Sequence, residues 1–235
     1  MSTATDSLAT NLAAVRSRIA AAAARSPRSA PATALLAVTK SVGPEVARSL
    51  LGLGVLDLGE NRVAELETKA SALGSGPRWH MVGTLQRNKA KRAVAVADLV
   101  HSLDSLPLLE TLDRLGAGRG APVRALVEVN AGGETTKRGF APGEVEAILR
   151  AARGREGVLV EGLMTLAPAD ADRESARSVF RALADLRDAA QSEGLLPPGA
   201  ALSMGMSGDF EVAVEEGSTI VRIGSALFRG LDEAR

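Results

Sequence analysis

Eight short apolar runs alternate along this chain with longer stretches of helical spacing. The runs fall at 34–38, 55–58, 79–82, 98–103, 123–129, 158–166, 201–204 and 219–223. Between them lie helical patterns at 44–51, 62–73, 86–97, 106–115, 144–153, 176–192 and 210–216. Strand followed by helix, repeated, means parallel strands joined by helical crossovers. The runs are apolar throughout rather than alternating, as required when both faces of a strand are buried. Eight such units in roughly 200 residues suit one (β/α)8 TIM barrel near its lower size limit. An open doubly wound sheet has the same local pattern, and counting units does not separate the two. No Gly/Ser linker or composition shift divides the chain, so residues 1–235 are read as one domain. Gly- and Pro-rich clusters at 74–77, 116–120 and 197–199 are turns between units. Upstream, Leu8, Leu12, Val15 and Ile19 recur at helical spacing and predict an amphipathic helix over about 6–25, ended by Pro27 and Pro31. The competing reading of residues 1–30, rich in Ala, Ser and Arg and poor in acid, is an organelle transit peptide.

Composition removes several function classes. Lys and Arg total 28 and so do Asp and Glu, which argues against a nucleic-acid partner, since that needs a basic excess. Cysteine is absent and there are only two histidines, so thiolate chemistry is excluded and a His-based metal site is not expected. No apolar run approaches the roughly 20 residues a membrane span needs. A cytoplasmic protein with no membrane partner is the expectation. Aromatics make up 2% of residues, leaving Ala, Val, Leu and Ile to fill the core.

A barrel places its active site at the C-terminal ends of its strands. On that expectation Lys40, Gly59-Glu60-Asn61, His80 to Gly83, Asp104, Asn130, Met164-Thr165, Ser203 to Ser207 and Arg222 to Ser225 converge on one pocket. Lys40 stands out. Only five of the 28 basic residues are lysines, and this one ends the first run. A primary amine can condense with an aldehyde to form a Schiff base, which arginine cannot do. The plain alternative is a strand-end lysine reaching for water. Two Gly/Ser stretches, 203–209 and 222–226, follow the seventh and eighth runs, where barrels commonly hold phosphate. Ser207 has a second reading, as the cap of the helix at 210–216. An imine-forming lysine opposite a phosphate cup points to a phosphorylated aldehyde: pyridoxal 5′-phosphate (PLP), or the substrate of a sugar-phosphate aldolase. His101 reads as an ordinary strand residue. Lys137 reads as a solvated loop lysine with a transfer role as the sharper alternative, and Arg87, Lys89, Lys91 and Arg92 as a solvated helix face.

These residues resemble the YggS-like pyridoxal phosphate homeostasis proteins over nearly the whole chain. The resemblance is carried by Leu36-Ala37-Val38-Thr39-Lys40, Gly59-Glu60-Asn61, the run from Trp79 through Lys89, Gly162-Leu163-Met164, Leu202 to Asp209 and Val221 to Phe228. It implies a single barrel similar to the N-terminal domain of alanine racemases, with PLP held by Lys40 as a Schiff base. It also implies that Ser203, Gly224 and Ser225 hold the phosphate, with Ser207 in the same stretch. Asn61 would lie near the cofactor and Arg222 would face the pyridine nitrogen. His80 and Met164 are expected just behind these. Thr39, Ser225 and Arg229 depart from the pattern of many relatives. The first two keep a hydroxyl, and the third touches only the local C-terminal tail. An arginine at the pyridine nitrogen disfavours its protonation and weakens the ring as an electron sink. The chain has no tyrosine to act as a racemase's second proton donor, with His80, His101 or Asp104 as stand-ins in principle. The expected function is a monomeric PLP carrier that contributes to intracellular vitamin B6 homeostasis and delivers to PLP-requiring apoenzymes. A PLP-dependent amino-acid racemase or lyase is the alternative.

Overall fold

A computed structural model of the chain describes residues 3–28, 33–134 and 138–231. The eight runs become β1 (Ala34–Val38), β2 (Asp57–Glu60), β3 (Arg78–Met81), β4 (Leu99–Leu103), β5 (Val123–Glu128), β6 (Val158–Met164), β7 (Ala201–Ser203) and β8 (Ile220–Ile223). They are parallel and pair in sequence order, and β8 pairs with β1 from Ala34↔Ile220 to Ala37↔Ile223. That closure decides for the barrel over the open sheet. The helices are α1 (Thr3–Arg25), α2 (Pro44–Gly52), α3 (Val63–Leu73), α4 (Arg87–Val94), α5 (Leu106–Arg119), α6 (Val145–Ala152), α7 (Arg173–Ser192), α8 (Phe210–Glu215) and α9 (Ser225–Phe228).

β1 matches its run, whereas β2 begins two residues later than its own, at Asp57. Val55 is buried ahead of the strand, so its apolar character reports packing and not pairing. α1 takes the predicted amphipathic form and starts three residues before the expected boundary. It buries Leu8, Leu12, Val15, Ile19 and Ala22 and packs on α8 and α9. Arg18–Glu211 and Arg25–Glu215 ion pairs, each at 2.8 Å, tie it to α8.

Strand alternation divides the barrel interior into layers. Leu99, Leu126, Ala201 and Ile220 pack together as an apolar plug with Met164. One inward step further along the same strands, towards their C-terminal ends, come His101, Glu128, Ser203 and Arg222. The apolar floor thus supports a polar layer at the mouth.

Candidate functional site

Lys40 lies two residues past the end of β1 and its side chain is exposed, but the residue before it is pinned. The Thr39 amide donates to the Gly59 carbonyl at 2.9 Å. Lys69 of α3 reaches under the strand and donates from Nζ to the Thr39 carbonyl and to Glu60 Oε1, both at 2.6 Å. Thr39 Oγ1 donates to the same Glu60 oxygen at 2.5 Å. Thr39 and Glu60 are fully buried and Lys69 is 2% exposed. A buried ammonium and carboxylate hold each other only while both are present. This pair therefore fixes the backbone from which Lys40 projects. Lys40 and Asn61 line one polar cleft of about 610 Å³, together with Glu60, Arg62 and Glu65. Asn61 is held close to the next loop: a Cβ on Gly83 would lie 2.3 Å from the Asn61 carbonyl oxygen.

At the other side of the β1/β8 seam the backbone amides of Gly224 and Ala226 point at a single oxygen. That oxygen is Ser207 Oγ, which accepts from them at 3.3 and 3.1 Å. The helix-cap reading of Ser207 fails here, because Asp209 stands at the start of α8 and Ser207 is committed to the β8 loop. Ser225 begins α9 and is exposed. A Cβ on Gly224 would be 3.2 Å from the Val38 carbonyl, so the amide cradle abuts β1 two residues before Lys40. Gly205, at φ +91°, turns the β7 loop where a Cβ would strike Ala213 at 2.5 Å.

Arg222, on β8 two residues before Gly224, is almost completely buried. Nη1 donates to the carbonyl and the hydroxyl of Ser203, both at 2.7 Å, and Nη2 to the Thr165 carbonyl at 2.8 Å. Burial lowers its pKa to about 10 against the opposing pull of Asp209 and Glu128, so it stays a cation at neutral pH. Ser203, expected at the phosphate, is fully buried with its hydroxyl between Arg222 and His101, where His101 Nδ1 is 2.9 Å away. His101 Nε2 meets His80 Nδ1 at 2.9 Å, and His80 Nε2 meets Asp57 Oδ1 at 3.2 Å. Both ring nitrogens of His80 are thus engaged. His101 is more than an ordinary strand residue, since both ring nitrogens are engaged. Met164 lies in the apolar plug.

Glu128 was not singled out by sequence. Burial first, then the nearby Asp104 carboxylate, raise its pKa to about 7, while Arg222 and Arg138 pull it back. Asp104, a candidate second base, is itself paired with Arg138 at 3.3 Å. Lys137 lies outside the described residues. Arg87, Lys89, Lys91 and Arg92 are exposed on α4, with Arg92 paired to Glu67. Among the described residues no group of three or more His, Cys, Asp or Glu is placed to hold a metal. Lys69 and Glu60 were also missed, although Lys69 carried a signal: it falls on the same buried stripe of α3 as Val63, Leu66 and Leu73.

Relatives share this architecture and much of this sequence. The family described as alanine racemase, N-terminal domain, matches residues 10–232. A pyridoxal phosphate homeostasis protein of Aquifex aeolicus is 41% identical over 220 residues, covering 92% of this chain and 95% of the relative. A crystal structure of an unknown protein from Bifidobacterium adolescentis superposes with a TM-score of 0.89 at 34% identity, covering 97% of each chain. PipY of Synechococcus elongatus, solved with PLP bound, superposes with a TM-score of 0.81 at 31% identity, covering 94% of this chain and 99% of that one. The chain belongs to the pyridoxal phosphate homeostasis proteins, within the alanine racemase N-terminal domain family.

Proposed function

We propose that this chain binds PLP with Lys40 as its covalent anchor, masks the cofactor's aldehyde, and passes it on within the cell. The observation that carries the reading is convergence across the β1/β8 seam. An exposed lysine two residues past β1 lies at the same strand ends as an amide cradle that already grips one oxygen, the Ser207 hydroxyl, and abuts Val38, while β8, paired to β1, carries the buried cation Arg222. When bound, PLP supplies a carbonyl that condenses reversibly with amines and a ring that accepts electron density. Lys40 provides the amine. The Gly224 and Ala226 amides, with the Ser207 and Ser225 hydroxyls, suit a phosphate, which glycine lets approach the backbone. Asn61 lies in the same cleft as Lys40. Arg222 suits the pyridine nitrogen and holds it unprotonated, which favours storage over carbanion chemistry. Ser203 serves by holding Arg222, and the phosphate falls to Ser207 and the amides after β8.

The carrier works as a monomeric, single-domain cytoplasmic protein. The cysteine-free sequence accords with that setting, and among the described residues no helix is long and apolar enough to cross a membrane. Its partners are PLP-requiring apoenzymes. One observation favours the racemase or lyase reading: Glu128, with a pKa near 7, is a carboxyl able to exchange a proton at neutral pH. Mixing PLP-loaded protein with a PLP-requiring apoenzyme tests the carrier role. Recovery of the apoenzyme's activity, absent with Lys40→Ala, is expected. Rapid exchange of solvent deuterium into amino-acid Cα positions would favour the catalyst instead.

A further inference from the structure

We propose that His101 and His80 are positioning residues for Arg222. With Ser203 and Asp57 they form one directed hydrogen-bonded chain through the barrel, which fixes the guanidinium in place. The consequence for PLP rests on the reading that Arg222 meets the pyridine nitrogen. The chain itself rests only on the distances within it.

Its direction follows from what each group can give or take. A guanidinium only donates. Ser203 Oγ therefore accepts from Arg222 at 2.7 Å, and its own proton goes to its other neighbour, His101 Nδ1, at 2.9 Å. His101 then carries its proton on Nε2 and gives it to His80 Nδ1 at 2.9 Å. His80 carries its proton on Nε2 and gives it to Asp57 Oδ1 at 3.2 Å. Every donor meets an acceptor, and the two rings, 5.1 Å apart with 64° between their planes, sit edge to face. The reverse order leaves the Ser203 proton with no acceptor and turns the bare Nε2 of His80 onto a carboxylate. Charging His80 instead forces Nδ1–H on His101 and strands the Ser203 proton again.

The electrostatics agree with the geometry. Burial, with the Arg222 cation adding to it, holds His101 neutral well below the usual imidazole range. Burial pushes the Asp57 carboxyl up, but hydrogen bonds from His80 and Arg78 outweigh it and keep the group ionised. Arg78 donates to both Asp57 oxygens at 2.6 Å, which ends the chain at the opposite rim. A buried cation at the mouth is thus joined to an anion at the far rim by a hydroxyl and two neutral imidazoles. Asp209 and Glu128 are the other charges that face Arg222.

Two measurements test the chain. In the ligand-free protein, side-chain 15N spectra at neutral pH should show both rings as neutral Nε2–H tautomers. In the PLP-loaded protein, His101→Phe should shift the pH dependence of the bound cofactor's visible absorbance and weaken PLP binding roughly tenfold, as loss of a hydrogen bond to a charged network does. His101→Gln, whose amide keeps one acceptor and one donor, should restore most of both. Ser203→Ala breaks the same link with little lost volume and gives the same readout should the phenylalanine variant not fold. Nδ1 protonation of either ring, or an absorbance profile of the broken-link variants identical to wild type, would overturn the proposal. Failure of wild type to take up PLP would sink the cofactor reading, and the tautomers would still decide the chain.

Discussion

Lys69 and Glu60 show how a charge can matter to Lys40 without touching a ligand. Their ion pair is buried beneath the backbone of Thr39, and Glu60 Oε2 has no hydrogen-bond partner among the described residues. Lys69→Met leaves that carboxylate alone in the core, and we expect a loss of about 3–5 kcal/mol in urea unfolding. Adding Glu60→Met should recover most of it, because the stranded charge is then gone. Glu128 makes a different prediction, in pH. Its folded pKa, about 7, lies above its ordinary value of 4.5. Between these values the folded state binds the extra proton, so stability falls as pH rises through this window. Glu128→Gln removes that slope. The variant should match wild type near pH 4.5 and exceed it above pH 7 by on the order of 2 kcal/mol, read from denaturant midpoints.

At the scale of elements, α1 is held by an apolar stripe and two ion pairs to α8. The partly exposed Arg18–Glu211 pair contributes little, so the stripe carries most of the docking, with Arg25 adding a bond to the buried Glu215 carboxylate. Leu12→Ala should cost roughly 2–5 kcal/mol, visible as a lowered thermal midpoint. Gly83→Ala tests the loop after β3, since its Cβ cannot coexist with the Asn61 carbonyl as placed. PLP titration should show weaker binding as Asn61 is pushed from its position beside Lys40. The elements themselves were largely legible, because a strand buried on both faces announces itself as an apolar run. β2 was misplaced by two residues because it is made of Asp57, Leu58, Gly59 and Glu60, polar or small at three positions. The 3-10 turn at Pro142–Glu144 and the four-residue α9 have too few residues to establish a period.

For the whole molecule, barrel closure is what assembles the site. The places of Lys40, Asn61, Ser207 and Gly224 past the ends of β1, β2, β7 and β8 were legible, because strand ends in a barrel share one rim. The chain from Arg222 to Asp57 was not, because it depends on which residues face inward and on a register that no single segment records. His80 and His101 are 21 positions apart, and Ser203 is a further 102 away, yet all three meet inside the barrel. The central claim is that this rim takes PLP covalently at one amine. Visible absorbance of the purified protein after incubation with PLP and gel filtration tests it most directly. A coloured species that survives filtration in wild type and is lost in Lys40→Ala, with both proteins folded, is the result expected. Equal colour in both, or none in either, would contradict the account.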